Sequence, residues 1–152
     1  MGIDVATTRT ANLIGAITAN VYMLLVIAVF IARMLGRLET GQWIGLASTL
    51  ALIPLVYLFV AGLNTNRRRV YFLWLGLMIL FLLFELIGDH LLKLDFRSAQ
   101  WAVVPYVMFF FSATGGMIGI ASQAGKGWSI VTTVIFLIMA ALAFVQRGVT
   151  GL

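Results

Sequence analysis

The sequence predicts an all-α fold: an integral membrane bundle of five transmembrane helices with short loops. Three observations carry that prediction. Hydrophobic residues make up 62% of the 152 and charged residues only 10%, with a mean hydropathy of +1.09. A soluble domain is nearer about 45–50% apolar and about 25% charged. Five apolar runs can each cross a hydrocarbon core of about 30 Å at about 1.5 Å per residue. The segments between the runs are short and polar, with no linker, low-complexity stretch or internal repeat. One domain over residues 1–152 is the expectation.

The first span is read over residues 12–35, after a polar lead that holds Asp4 and Arg9. It exceeds the about 7–15 apolar residues of a cleaved signal and runs into Gly36-Arg37-Leu38-Glu39 without a small-residue cleavage site. A retained helix is therefore expected. Thr18 and Asn20 inside it suit hydrogen bonds between helices. The second span, 43–63, starts at Trp43, an interfacial aromatic. Pro54 lies mid-span and predicts a kink, because proline removes one helical hydrogen bond and clashes with the preceding turn.

A tight polar loop, Asn64 to Arg69, leads to the third span over 70–92. Ser98 is the expected N-cap of the fourth span, 101–122, with Pro105 in its first turns. A Gln123–Gly127 turn precedes the fifth span, 128–145. Lysine and arginine divide evenly. Arg9, Arg67, Arg68, Arg69 and Lys126 fall on one side, and Arg33, Arg37, Lys93, Arg97 and Arg147 on the other. The dense Arg67–Arg69 triplet points to a cytoplasmic N-terminus, and the cell membrane is the expected location.

Composition also excludes. The net charge of +5 comes from residues beside apolar spans, where orientation and lipid headgroups account for them, so no nucleic-acid partner is expected. The chain has no cysteine, which removes disulfides, thiolate nucleophiles and cysteine-ligated metals. A single histidine, His90, leaves no nucleophilic triad and no histidine-rich metal centre. No catalytic residue, cofactor or metal is expected.

What chemistry remains gathers at the end of the third span, in Glu85-Leu-Ile-Gly-Asp89-His90-Leu-Leu-Lys93-Leu-Asp95-Phe-Arg97. Glu85 follows fifteen residues without a charge, which places it about 22 Å from the arginine side, and Asp89 about 28 Å. Glu85 is then one turn inside the far boundary, where a carboxylate must be protonated, paired or wet. On a continuous α-helix Glu85, Asp89, Lys93 and Arg97 form a ladder four residues apart, with Asp89 and Lys93 well ordered for an ion pair. His90 would point about 140° away from Glu85 unless the helix breaks at Gly88. Asn20 and Tyr106 are the expected polar partners of Glu85.

Glu85 and Asp89 are thus the candidate ligand- or ion-binding residues. Tyr71, Trp74, Met78 and Phe81 continue their face and are candidate lining for an apolar pocket. In the fourth span Ser112, Gly115, Gly116 and Gly119 form small-residue pairs expected to pack against a helix, within the chain or between copies. The expected function is transport or ligand binding at the acidic site. The alternatives are a non-catalytic accessory or scaffold subunit docked through the glycine face, and a lipid-directed acid–base enzyme using Glu85 and Asp89. Expected partners are membrane lipids, with further copies of the chain or a partner membrane subunit.

Overall fold

The computed structural model describes the backbone of residues 2–93 and 99–150, and the side chains of 8–93 and 99–149. The expected Ser98 cap, the Arg97 end of the ladder and the side chain of Asp4 lie outside the described residues. Six α-helices follow in order: α1 (Gly2–Met34), α2 (Leu38–Ser48), α3 (Leu52–Asn64), α4 (Arg69–Glu85), α5 (Gln100–Ser122) and α6 (Lys126–Thr150). The described residues contain no strand. Five helical stretches are long and apolar enough to cross a membrane: Thr8–Met34, Leu38–Asn64, Arg69–Leu91, Gln100–Ser122 and Lys126–Val149. The chain is a multi-span, all-α membrane protein.

Each end and interruption has a local cause. α1 stops in a Schellman motif: Arg37 N–H donates to the Ala32 carbonyl at 2.8 Å and Gly36 N–H to Arg33 at 3.0 Å. Gly36 takes φ +75°, a conformation without penalty only for glycine. The second span is α2 and α3 joined by a 3₁₀ turn, Thr49–Ala51. Pro54 has no N–H to give Leu50, and its ring crowds that carbonyl, so the helix tightens where the bond is lost. Ser48 and Thr49 hydroxyls bond back to the Gly45 and Leu46 carbonyls, each at 2.6 Å. The polar loop turns at Asn66, φ 52°, and the Arg67 guanidinium lies 4.7 Å over the Tyr71 ring.

α1 is the central post, packed along α2, α3, α5 and α6, while α4 packs on α3 and α5. The core between them holds Tyr22, Met23, Leu55, Leu58, Leu75 and Met117, all nearly or fully buried. Asn20 makes a polar tie between α1 and α6: Thr132 Oγ1 donates to its Oδ1 at 3.2 Å. Its amide also donates to the Ala16 carbonyl at 2.7 Å. Asn20 is therefore not a partner of Glu85.

The small residues of α5 do not form one docking stripe. A Cβ on Gly119 would stand 2.6 Å from three ring atoms of Trp74, and one on Gly116 would stand 3.1 Å from the same side chain. These two glycines form a slot for the Trp74 indole of α4. Gly115 faces α6, where Phe136 is the nearest side chain at 4.0 Å. Ser112 is exposed. The expected Gly115/Gly119 pair meets two neighbours, Gly115 lying nearest Phe136 of α6 and Gly119 against Trp74 of α4.

Candidate functional site

α4 is a regular helix as far as Glu85. Beyond it the chain widens into a π-helical turn, Leu86–Leu91, seen in the Leu92 N–H bond to the Ile87 carbonyl at 2.8 Å. Buried Gly88 sits within that turn. π turns are rare and concentrate at functional sites. This one changes the geometry expected of a continuous α-helix. Residues five apart come into register, and His90 Nδ1 lies 3.4 Å from the Glu85 carbonyl oxygen. Glu85, Asp89 and His90 all face one cavity, so the expected separation of His90 from the acids does not hold. The charge ladder is interrupted too: Lys93 lies beyond the helix at φ 50°.

The cavity measures about 590 Å³. Its ionisable lining is Arg33 from α1, Glu85, Asp89 and Lys93 from the end of α4, and Arg147 from α6, with the His90 imidazole among them. Gln42, Ser48, Tyr106 and Gln146 add neutral polar groups. The apolar wall is Val26, Phe30, Val103, Phe110 and Phe144 with their neighbours. Lys93 and Arg147 are exposed at the rim, whereas Glu85 and Asp89 are half-buried and Gln146 is 4% exposed. Arg33, Asp89 and Gln146 are themselves engaged in polar or electrostatic contacts.

Tyr106 donates to Glu85 Oε1 at 2.7 Å, a well-formed O–H···O bond. This is one of the two partners expected for Glu85. Tyr106 is held in turn by rings: Phe81 at 5.8 Å and Phe84 at 6.4 Å between centroids. The Glu85 carboxylate is thereby fixed on a packed aromatic wall.

The four candidate lining residues stand elsewhere. Tyr71 is 4% exposed, Met78 and Phe81 are fully buried, and Trp74 fills the α5 slot. None of them lines the cavity. They continue the Glu85 face, as the spacing requires, but α5 and α3 pack directly on that stretch. Phe81 marks the boundary, with its ring 5.3 Å from Phe109 and 5.6 Å from Phe110. The cavity opens only one turn later.

Sequence reading missed Arg33, Arg147, Gln146 and Tyr22 as neighbours of the acids. Arg33 and Arg147 read as ordinary charges at helix ends, and Gln146 as tail. Tyr22 had no signal, since a tyrosine within a span is unremarkable as sequence. In the structure it is 1% exposed, and its hydroxyl has no hydrogen-bond partner among the described residues. Among the described residues no cluster of three His, Cys, Asp or Glu has metal-holding geometry.

A second cavity of about 520 Å³ opens beside Arg9, Asn12, Gln123 and Trp128. It carries one charge where the other holds two carboxylates and several cations. Compared with known protein families, curated proteins and solved structures, the chain matches none.

Proposed function

We propose that the protein binds, and in the membrane transports, an amphipathic ligand whose charged head engages Glu85 and Asp89. The observation that supports this reading is the cavity itself. It combines a carboxyl group held on an aromatic wall with an apolar surface, the two features an amphipathic molecule's head and chain require. Charged groups within a span are costly and concentrate on substrate and ion pathways. The π turn at the acids supports the same reading. The glycine slot is filled by Trp74 of the same chain, so a scaffold role through that face has less support. Partners are membrane lipids, with copies of the chain completing a pathway too wide for five helices to enclose. The proposed setting is the cell membrane with the N-terminus in the cytoplasm.

The test is purified protein in liposomes with a fluorescent amphipathic amine. Wild type should bind or move the probe saturably, and Glu85→Gln, whose amide oxygen can still accept from Tyr106, should abolish this while the protein stays folded. A Glu85→Gln protein that binds like wild type but melts earlier would make Glu85 a structural residue only.

A further inference from the structure

The two ends of the bundle differ in charge. Among the described side chains, Glu39, Glu85 and Asp89 all stand at the end of Arg33, Arg37, Lys93 and Arg147. The other end holds Arg9, Arg67, Arg68, Arg69 and Lys126 without a described carboxylate, Asp4 lying outside those side chains. Three of its cations are consecutive, in the turn from α3 to α4. Residues 65–68 join the span that ends at Asn64 to the one that begins at Arg69. Out and back, a link this short reaches about 7 Å at about 3.5 Å per residue, which keeps it within the headgroup layer.

One of the three arginines is fixed in place. A Cβ on Gly62 would stand 3.2 Å from the Tyr71 ring and 3.1 Å from that of Phe72, so glycine lets both rings of α4 close onto α3. Tyr71 is 4% exposed, and the Arg67 guanidinium lies 4.7 Å over its ring. Stacking orients the guanidinium and leaves its charge uncompensated. Its Nε has no acceptor among the described residues. Arg68 and Arg69 are exposed beside it, and Arg68 makes no side-chain bond as the N-cap of α4, so the positive end of that helix adds to the same field.

We infer that the α3–α4 turn binds the phosphate of an anionic phospholipid, with Arg67 meeting the phosphate oxygens as a fixed fork and Arg68 and Arg69 drawing the negative head to it. A planar guanidinium matches phosphate bidentately, which the point charge of a lysine does not. Exposed basic groups at a bilayer surface attract anionic lipid, and salt screens that attraction. A soluble phosphate ester shares the chemistry, but the short link holds this turn at the level of lipid heads. The acidic cavity is lined from the opposite ends of α1, α4 and α6, so the inference does not rest on the function proposed for it.

Native mass spectrometry of the full chain in detergent tests it, with phosphatidylglycerol, phosphatidylcholine of the same chains and soluble glycerol phosphate as probes. Unfolding temperatures are measured for every variant. Wild type should bind phosphatidylglycerol about tenfold more tightly than phosphatidylcholine, and an equal concentration of glycerol phosphate should not displace it. Arg67→Lys keeps the charge and loses the fork, so it should weaken phosphatidylglycerol about tenfold, at high salt as well as low. Arg68→Gln/Arg69→Gln alters two exposed side chains and should erase the preference over phosphatidylcholine at low salt, with little further effect at high salt. Arg37→Gln removes a charge from the other end and should bind as wild type does. A wild type without the preference, or an Arg67→Lys protein with wild-type affinity, overturns the inference. So does an Arg37→Gln protein weakened as much as the turn variants, which would make net charge the cause. Displacement by glycerol phosphate would assign the turn to a soluble phosphate ester and overturn the lipid.

Discussion

The two halves of the third span share one helix face and have opposite characters. From Arg69 to Phe81 the face is sealed: Tyr71, Met78 and Phe81 are buried and Trp74 drives into the Gly116/Gly119 slot. From Glu85 to Lys93 the helix relaxes into a π turn and the same face borders a cavity of about 590 Å³. The difference teaches where a bundle this small can hold a site. The sealed half packs α4 against its neighbours, and the open half presents its acids to the cavity.

The largest expected effect breaks the sealed half. Gly119→Leu puts a side chain where Trp74 already stands 2.6 Å from a Cβ position, and should cost about 3 kcal/mol from overpacking. Thermal unfolding in detergent measures it. Adding Trp74→Ala should return part of that loss, whereas a loss that Trp74→Ala leaves untouched would mean the slot is not what couples α4 to α5.

Tyr106→Phe comes next and lies in the open half. It removes the 2.7 Å donor to Glu85 and should destabilise by about 1.5–3 kcal/mol, as for a hydrogen bond to a charged group. Loss of ligand binding should accompany the fall in unfolding temperature. Tyr22→Phe should move stability the other way, up by about 1 kcal/mol, because it deletes a buried hydroxyl that has no protein partner. A lower unfolding temperature would show that the hydroxyl is satisfied. Thr132→Val should have the smallest effect, about 0.6 kcal/mol, the usual worth of a hydrogen bond between membrane helices. It cuts the 3.2 Å tie to Asn20 and should leave binding at the acidic cavity unchanged.

The spans were legible because apolar run length is a direct consequence of bilayer thickness, and the five stretches fall close to where hydropathy places them. Pro54 announced the interruption in the second span for a reason that is local to the chain. Glu85 was legible as an acid within the third apolar helix, and Tyr106 as one of two polar groups able to meet it. The face of His90 was not legible. It depends on one extra residue per turn from Leu86 to Leu91, and nothing in that composition distinguishes a π turn from an α turn except Gly88. The roles of Trp74 and Gly119 were hidden for another reason. Spacing shows that a residue lies on a face, but only the packed partner decides whether that face is filled or open.

The central claim is that the open half is a binding site built on Glu85. Its most direct test is native mass spectrometry of wild-type and Glu85→Gln protein extracted gently from membranes, with unfolding temperatures measured alongside. The account predicts an amphiphile bound to wild type and absent from Glu85→Gln at equal stability. An equal bound population on both proteins, or a Glu85→Gln protein that only unfolds sooner, would contradict it.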